Sequence, residues 1–346
     1  MLAKRIAAST LLSILILSCA GNKTPVITLQ LTGTSCSFRA VHAVSESCVW
    51  ASGSDGIVLR TIDSGETWTQ ASIPLNKALS LRGLHAFGTD TCVVLSVGSP
   101  GYIFKTCDSG HTWKAVYENT DPHVFLNSMT FWDKKHGIAV GDPMGGGFTV
   151  LTTSDGGDSW NRVPAETLPA PADGEMQFAA SNTCVSVRGT DKAWFGTGVS
   201  AARIFYTGDR GRTWQAFDTP LTFGNPSSGI FSVAFYDTLS GIVCGGDYLQ
   251  PSMQKKAVAA TNDGGRTWNL LEQFPSIGFC SCAAFIPGAR GKGMGIAGTN
   301  GIVLTADSGE SWRKLSAAEC NVIGFSPGGR FGWAGGTEGT IYRIAL

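Results

Sequence analysis

Apolar residues along this chain fall in short runs, and turns rich in Asp, Gly, Ser and Thr separate them from residue 26 to the end. Runs of this length between turn formers read as strands joined by hairpins. One class of run is Ile57-Val58-Leu59, Tyr102-Ile103-Phe104, Phe148-Thr149-Val150-Leu151, Arg203-Ile204-Phe205-Tyr206, Ala257-Val258-Ala259 and Ile302-Val303-Leu304. Each leads into the same phrase, Thr-x-Asp-x-Gly-x-(Thr/Ser)-Trp, centred on Asp63, Asp108, Asp155, Asp209, Asp263 and Asp307. A further short run follows each phrase. The Asp carboxylate can accept backbone N–H groups round such a turn, Gly supplies positive φ, and the Thr or Ser hydroxyl can close the network. The Trp ring needs burial, most simply between neighbouring sheets. Six equivalent copies point to architecture rather than catalysis or metal binding.

The repeat sets the fold. The Trp residues of the phrase, at 68, 113, 160, 214, 268 and 312, are spaced 45, 47, 54, 54 and 44 residues apart. Four strands with their turns need about this length. Upstream of each turn lie a second strand, as in Gly137-Ile138-Ala139-Val140, and a first strand. The first strands are expected at Phe38 to Val44, Leu81 to Phe87, Leu126 to Trp132, Phe178 to Cys184, Phe231 to Tyr236 and Cys280 to Ile286. After the sixth turn, Cys320 to Phe325, Gly332-Trp333-Ala334 and Thr340 to Ile344 give three more strands and no seventh turn phrase. Val26 to Leu31 is a strand with no partner before the first unit. The expectation is an all-β, seven-bladed β-propeller over residues 26–346, its last blade closed by the N-terminal strand, so that no sheet edge between first and last blade stays open. Six blades and a separate C-terminal hairpin is the alternative.

The phrase resembles the Asp-box, or BNR repeat, found in sialidases, sortilin-type receptors and the photosystem II stability and assembly factor family. Phe131-Trp132-Asp133 with His136-Gly137-Ile138-Ala139-Val140-Gly141-Asp142-Pro143, Phe178-Ala179-Ala180-Ser181 and Gly229-Ile230-Phe231-Ser232 are similar to stretches in bacterial members of the last group. The resemblance covers the whole chain after the leader. It implies a binding or assembly role with a protein partner or polar ligand, no cofactor and a monomeric propeller.

The leader differs from the rest. Lys4 and Arg5 precede an apolar core from Ala7 to Leu17, and Ile16-Leu17-Ser18-Cys19 follows. Charge, apolar core and small residue before Cys read as a secretory signal over residues 1–18. The pattern resembles a bacterial lipobox, which implies lipidation at Cys19, a short tether over 19–25, and a membrane-anchored protein of the cell envelope, in the periplasm or at the outer membrane. Of the ten cysteines, the nine after Cys19 are Cys36, Cys48, Cys92, Cys107, Cys184, Cys244, Cys280, Cys282 and Cys320. Most sit in apolar runs as small hydrophobes. A Cys36–Cys320 bridge near the closure is one pairing the compartment allows. Cys280-x-Cys282 lacks the second pair of a zinc site. No metal site emerges elsewhere.

Formal net charge is zero, with Lys+Arg and Asp+Glu at 26 each, which leaves no basic footprint for nucleic acid. Candidate chemistry therefore gathers on one face. Loops between blades, and loops between second and third strands, share a face opposite the Asp turns. Long ones are Pro164 to Glu175, Asp218 to Ile230, Gly141 to Gly147 and Gly245 to Lys256. Aligned first strands place Arg39, Arg82, Asn127, Ala179, Ser232, Ser281 and Asn321 around the channel mouth. With Asp142, Glu175, Asp247 and Tyr248 above them, they suit a polar ligand or a partner's polar segment; bonding between blades is the alternative role. A sialidase-like glycoside hydrolase could cast Arg39, Arg82, Asp142, Glu175 and Tyr248 in its parts. However, the Arg-Ile-Pro motif of that family is missing, with Arg203-Ile204-Phe205 the nearest approach. A redox protein with an unidentified cofactor is the third reading. Gly293-x-Gly295-x-x-Gly298 matches a dinucleotide fingerprint by eye, yet no helix is expected after it.

Overall fold

The structure is a computed structural model, described over residues 24–71, 73, 79–252 and 256–346. Seven four-stranded antiparallel sheets are arranged as blades, with two 3-10 turns, Ser54–Gly56 and Ala165–Thr167, as the helical elements among the described residues. Blades one to three begin with Phe38–Ala43, Ser80–Ala86 and Leu126–Phe131. Blades four to six begin with Val185–Arg188, Ser228–Phe235 and Cys280–Phe285. Blade seven comprises Val322–Phe325, Phe331–Gly335 and Ile341–Ala345, and Val26–Gln30 pairs antiparallel to Ile341–Ala345 as its fourth strand. The N-terminal strand thus closes the ring, as the repeat count requires. Ile27 stands in register where the other blades carry the turn Trp, and it packs with Ile344 and Tyr342.

The core is a set of layers between neighbouring blades. Trp194 of blade four stacks on Phe235 of blade five at 3.8 Å, and its indole donates to Gly264 O in the blade-five Asp turn. Each inter-blade layer buries aromatic and branched side chains in this way, and that burial is the main stabilising term. Gly295, in the sequence that mimics a dinucleotide fingerprint, lies inside a strand where a Cβ would come 2.8 Å from Phe325. Its glycine is required by the approach of blade seven.

The Asp turns close as the residue types dictate. In the blade-five copy, Asp263 Oδ1 accepts from Thr261 Oγ1 and from Thr267 N, while Oδ2 accepts the Thr267 hydroxyl at 2.6 Å. Thr261 Oγ1 in turn accepts Gly265 N–H, and Gly265 has φ +88°. The same bonds recur at Asp63, Asp108, Asp155, Asp209 and Asp307.

Two sequence expectations fail. Residues 178–184 are not the first strand of blade four; the strand starts at Val185. All nine described cysteines are free thiols, so Cys36 and Cys320 are not bridged. Cys36 packs with Phe38 and Trp333, whereas Cys320 packs with Cys282 and Ile323 in a separate layer.

Candidate functional site

The first strand of most blades carries a bulge where it leaves the loop-rich face. The extra residue is Arg39, Arg82, Asn127 or Ser281 in blades one, two, three and six. In blade five it is Phe231, so Ser232 lies one step further along the strand than the sequence alignment places it. In blade four, strand register gives the place to Thr183 rather than Ala179. A bulge re-aims a side chain that the pleat would otherwise direct into a neighbouring blade. Asn321 of blade seven uses its amide to donate to Phe38 O, and Ser281 donates to Ala297 O and Cys320 O; these two hold adjacent blades together.

The segment displaced from blade four fills the channel at this face. Asn182 donates to Leu84 O at 2.8 Å and to Arg39 O through its backbone, and its Oδ1 accepts Met129 N–H at 2.9 Å. Ser181 donates to Ser281 O, Thr183 shares a hydrogen bond with Ser232, and Val233 N–H donates to Thr183 O. Residues 177–183 therefore touch first strands of blades one, two, three, five and six and act as a plug. Ser181, Asn182 and Thr183 were not among the sequence candidates. Their signal was present, since a polar run, Ser181-Asn182-Thr183, sits where an apolar strand was expected.

Arg39 and Arg82 are half-buried and reach the plug from blades one and two. Arg82 Nη1 donates to Ala179 O at 2.5 Å, and Arg39 Nη1 donates to Ala180 O at 3.3 Å. Both bonds end on neutral carbonyls. Burial, with Arg39 close by, brings Arg82 down to about 10, and burial lowers Arg39 against the pull of Glu319. The far side of the plug is aromatic. Phe178 lies 4.6 Å from Phe231 and 6.2 Å from Tyr248, and Phe279 lies 5.4 Å from Phe231. Tyr248, Leu249, Phe223 and Met176 are exposed on this face.

The three carboxylates singled out from the sequence are brackets for the loops. Buried Glu175 pairs with Arg203 through both of its oxygens and also accepts from Thr197 Oγ1 and Ala172 N. Asp247 accepts from Ser227 Oγ, Asn225 Nδ2 and the backbone of Leu249 and Gln250. Asp142 accepts from Asn127 Nδ2 and Gln177 N–H, and burial raises it to about 6 despite those bonds. Gly141 to Gly147 is no loose loop either. It continues the hairpin of Gly137–Met144 and Gly147–Thr153 around Gly145 and Gly146, both at positive φ. No group of three or more His, Cys, Asp or Glu side chains able to hold a metal occurs among the described residues.

No family model matches the chain, and no curated protein matches it. Solved structures do. The chain is similar to YCF48 bound to a D1 peptide, with a TM-score of 0.65 at 15% identity over 92% of this chain and 97% of that one. YCF48 from Cyanidioschyzon merolae gives the same TM-score at 16% identity over 92% and 98%. The GH74 enzyme of Niastella koreensis gives 0.59 at 14% identity over 90% of this chain and 43% of that chain. At such identities the likeness is one of fold alone.

Proposed function

We propose that this chain is an Asp-box propeller whose loop-rich face binds an extended, carboxylate-bearing segment of a partner protein, as an assembly or stability factor of the cell envelope and not as an enzyme. The observation that carries the reading is the pair Arg39 and Arg82, two neighbouring half-buried guanidinium groups whose side-chain bonds end on neutral carbonyl and hydroxyl oxygens. A carboxylate would relieve their mutual repulsion, and charge-assisted bonds are about twice as strong as neutral ones. The aromatic half of the mouth, with Tyr248, Phe178 and Phe231, offers apolar ground for side chains beside that carboxylate. Asn127, Asp142, Glu175, Ser232 and Asp247 shape the mouth by holding the plug and loops. That one similar structure holds a D1 peptide supports a peptide-binding role for a propeller of this shape.

The glycosidase alternative needs a free acid and an activated nucleophile. Asp142, Glu175 and Asp247 are each engaged within the protein, and Tyr248 contacts aromatic rings. The geometry favours binding.

The anchor reading rests on Cys19, which lies outside the described residues. Val26 pairs with Ala345 at the end of its blade where an Asp turn would follow. A lipid on Cys19 would therefore hold the Asp-turn face to the membrane and leave the mouth facing away from it. Mass spectrometry of the N-terminal peptide would detect the acyl groups.

The function is tested by purifying the intact protein from its own membranes after crosslinking, beside an Arg39→Ala/Arg82→Ala variant and an Arg39→Lys/Arg82→Lys variant. The Ala variant should lose the wild-type partner while keeping the wild-type melt, and the Lys variant should retain part of it. If the Ala variant unfolds, the arginines serve only to hold the plug. If it keeps the partner, the mouth is the wrong site.

A further inference from the structure

At two junctions between blades, the residue after the glycine of an Asp turn reaches back to the third strand of the preceding blade. Asp158 of the blade-three turn pairs with Lys105 of blade two at 2.9 Å. Arg266 of the blade-five turn lies over the Tyr206 ring of blade four, 6.0 Å from its centroid. Lys105 and Tyr206 hold the same register place, opposite Val93 and Trp194 of their second strands. In blade three that place, opposite Ile138, belongs to Thr152. Thr152 offers neither charge nor ring to Arg212, the residue after Gly211 in the blade-four turn. The Arg212 backbone donates to Asp209, and its exposed guanidinium has no partner among the described residues. A cleft of about 520 Å³ stays open there between blades three and four, reaching from the Asp turns up the rim to Pro164 and Thr167.

Cations line this cleft from both walls. Arg210 and Arg212 stand on the blade-four side and Arg162 on the blade-three side, and no Asp or Glu lines it among the described residues. Arg162 donates through Nη2 to Met144 O, so its Nε and Nη1 remain open to a ligand. Arg210 donates from Nε to Thr190 O, and its Nη2 stands 3.7 Å from Asp133. The acids around the cleft are largely committed elsewhere. Asp133 also holds His136, Asp191 lies 3.6 Å from Lys192, and Asp158 belongs to Lys105 across another junction. Asp121 feels the charge of Arg162 from outside the lining, and Glu166 is exposed on the Ala165–Thr167 turn. The cleft is left with a surplus of positive charge.

We propose that this cleft is a phosphate-binding site, separate from the loop-rich mouth, for a soluble phosphate ester or the headgroup of an anionic phospholipid. The phosphate bridges Arg212 of blade four and Arg162 of blade three, and Arg210 adds charge beside them. The planar fork of Arg matches phosphate oxygens, and charge-assisted bonds are about twice as strong as neutral ones. A lone carboxylate needs only one guanidinium, as Glu175 shows by taking both of its oxygens to Arg203. Three arginines on two walls suit the greater charge and the additional oxygens of phosphate. The volume falls within the about 300–1,000 Å³ of small-molecule sites, so the cleft has room for the group that carries the phosphate. Thr152, Ser154 and Asn161 offer that group hydroxyls and an amide.

The test uses the full chain, with inorganic phosphate as the first probe and acetate as the carboxylate control. Titrations are followed by calorimetry and by the amide resonances of Gly211 and Arg212. Phosphate at millimolar concentration should move both resonances and bind about tenfold more tightly than acetate. Arg162→Gln/Arg212→Gln should weaken phosphate about tenfold. Thr152→Tyr gives Arg212 a ring to lie on, as Tyr206 does for Arg266, and should weaken phosphate without removing a charge. Arg266→Gln removes a guanidinium that is already engaged and should leave phosphate binding unchanged. Glycerol 3-phosphate and dihexanoyl phosphatidylglycerol, a lipid soluble as monomers, then separate the two sources. Tighter binding of either one than of inorganic phosphate supports the site and identifies the source. The proposal is overturned if phosphate binds the folded wild-type protein no better than acetate, or if the double variant keeps wild-type affinity. It is equally overturned if Arg266→Gln weakens phosphate as much, which would reduce the attraction to overall charge, or if neither ester binds more tightly than inorganic phosphate. If the double variant fails to fold, Arg212→Gln alone takes its place.

Discussion

Replacing Asp263 with Ala removes one acceptor from the best-defined turn in the molecule. Four bonds end on this carboxylate, from Thr261 Oγ1, Arg266 N, Thr267 N and Thr267 Oγ1. The last three donors lie at the surface, where water can replace the lost acceptor, so each is worth about 0.5 kcal/mol net. Thr261 is buried, and its hydroxyl is left without an acceptor, which costs about 1 kcal/mol more. The total is about 2–3 kcal/mol. Unfolding entropy of about 2.1 cal/mol/K per residue over roughly 320 propeller residues converts this to a fall in Tm of about 3–4 °C. Burial pushes the Asp263 carboxyl up, but the Thr267 hydroxyl and the other donors outweigh it and hold it down at about 2, against an ordinary value of 3.8. A depressed carboxyl contributes stability above the unfolded value, and that contribution disappears as pH falls through the folded one. The gap between wild type and variant should therefore be full at neutral pH and shrink between about pH 4 and pH 2. Calorimetric melts across that range measure it. Identical melts at neutral pH, or a gap that stays constant into acid, would refute the reasoning.

Other outcomes follow from the same geometry. Glu175→Ala strands Arg203 beside a buried gap and should cost about 3–5 kcal/mol, seen as a denaturant midpoint shift; an unshifted midpoint counts against a stabilising pair. Asp142 is raised by burial to about 6, so its contribution is present below 3.8 and is lost as pH rises through about 6. Wild type should accordingly lose up to about 3 kcal/mol over that interval, whereas Asp142→Asn, which keeps the acceptor for Gln177 N–H, should show a flat profile. Asn182→Ala frees Met129 N–H and Leu84 O, and amide exchange at Met129 should accelerate while the Asp turns keep wild-type protection.

Legibility in the sequence followed how local the interactions are. An Asp turn is contained within eight residues, so Thr261, Asp263, Gly265, Thr267 and Trp268 announce it wherever they recur. Seven blades and the closing strand were legible for a related reason: six turns were complete, one unit lacked its fourth strand, and Val26 to Leu31 lacked a partner. The positions of Arg39, Arg82, Asn127, Ser281 and Asn321 at the inner strands were legible from alignment. What they touch was not.

The sequence by itself determined the repeating unit, the number of blades and the means of closing the ring, because each depends on contacts within a turn or between adjacent strands. Only the tertiary structure decided that residues 177–183 leave the sheet and plug the channel. It alone decided that Glu175 spends its charge on Arg203. The physical reason is separation along the chain. Asn182 meets Leu84 across 98 residues and Ser181 meets Ser281 across 100, and no local pattern encodes which distant carbonyl a side chain will find once seven blades have closed into a ring.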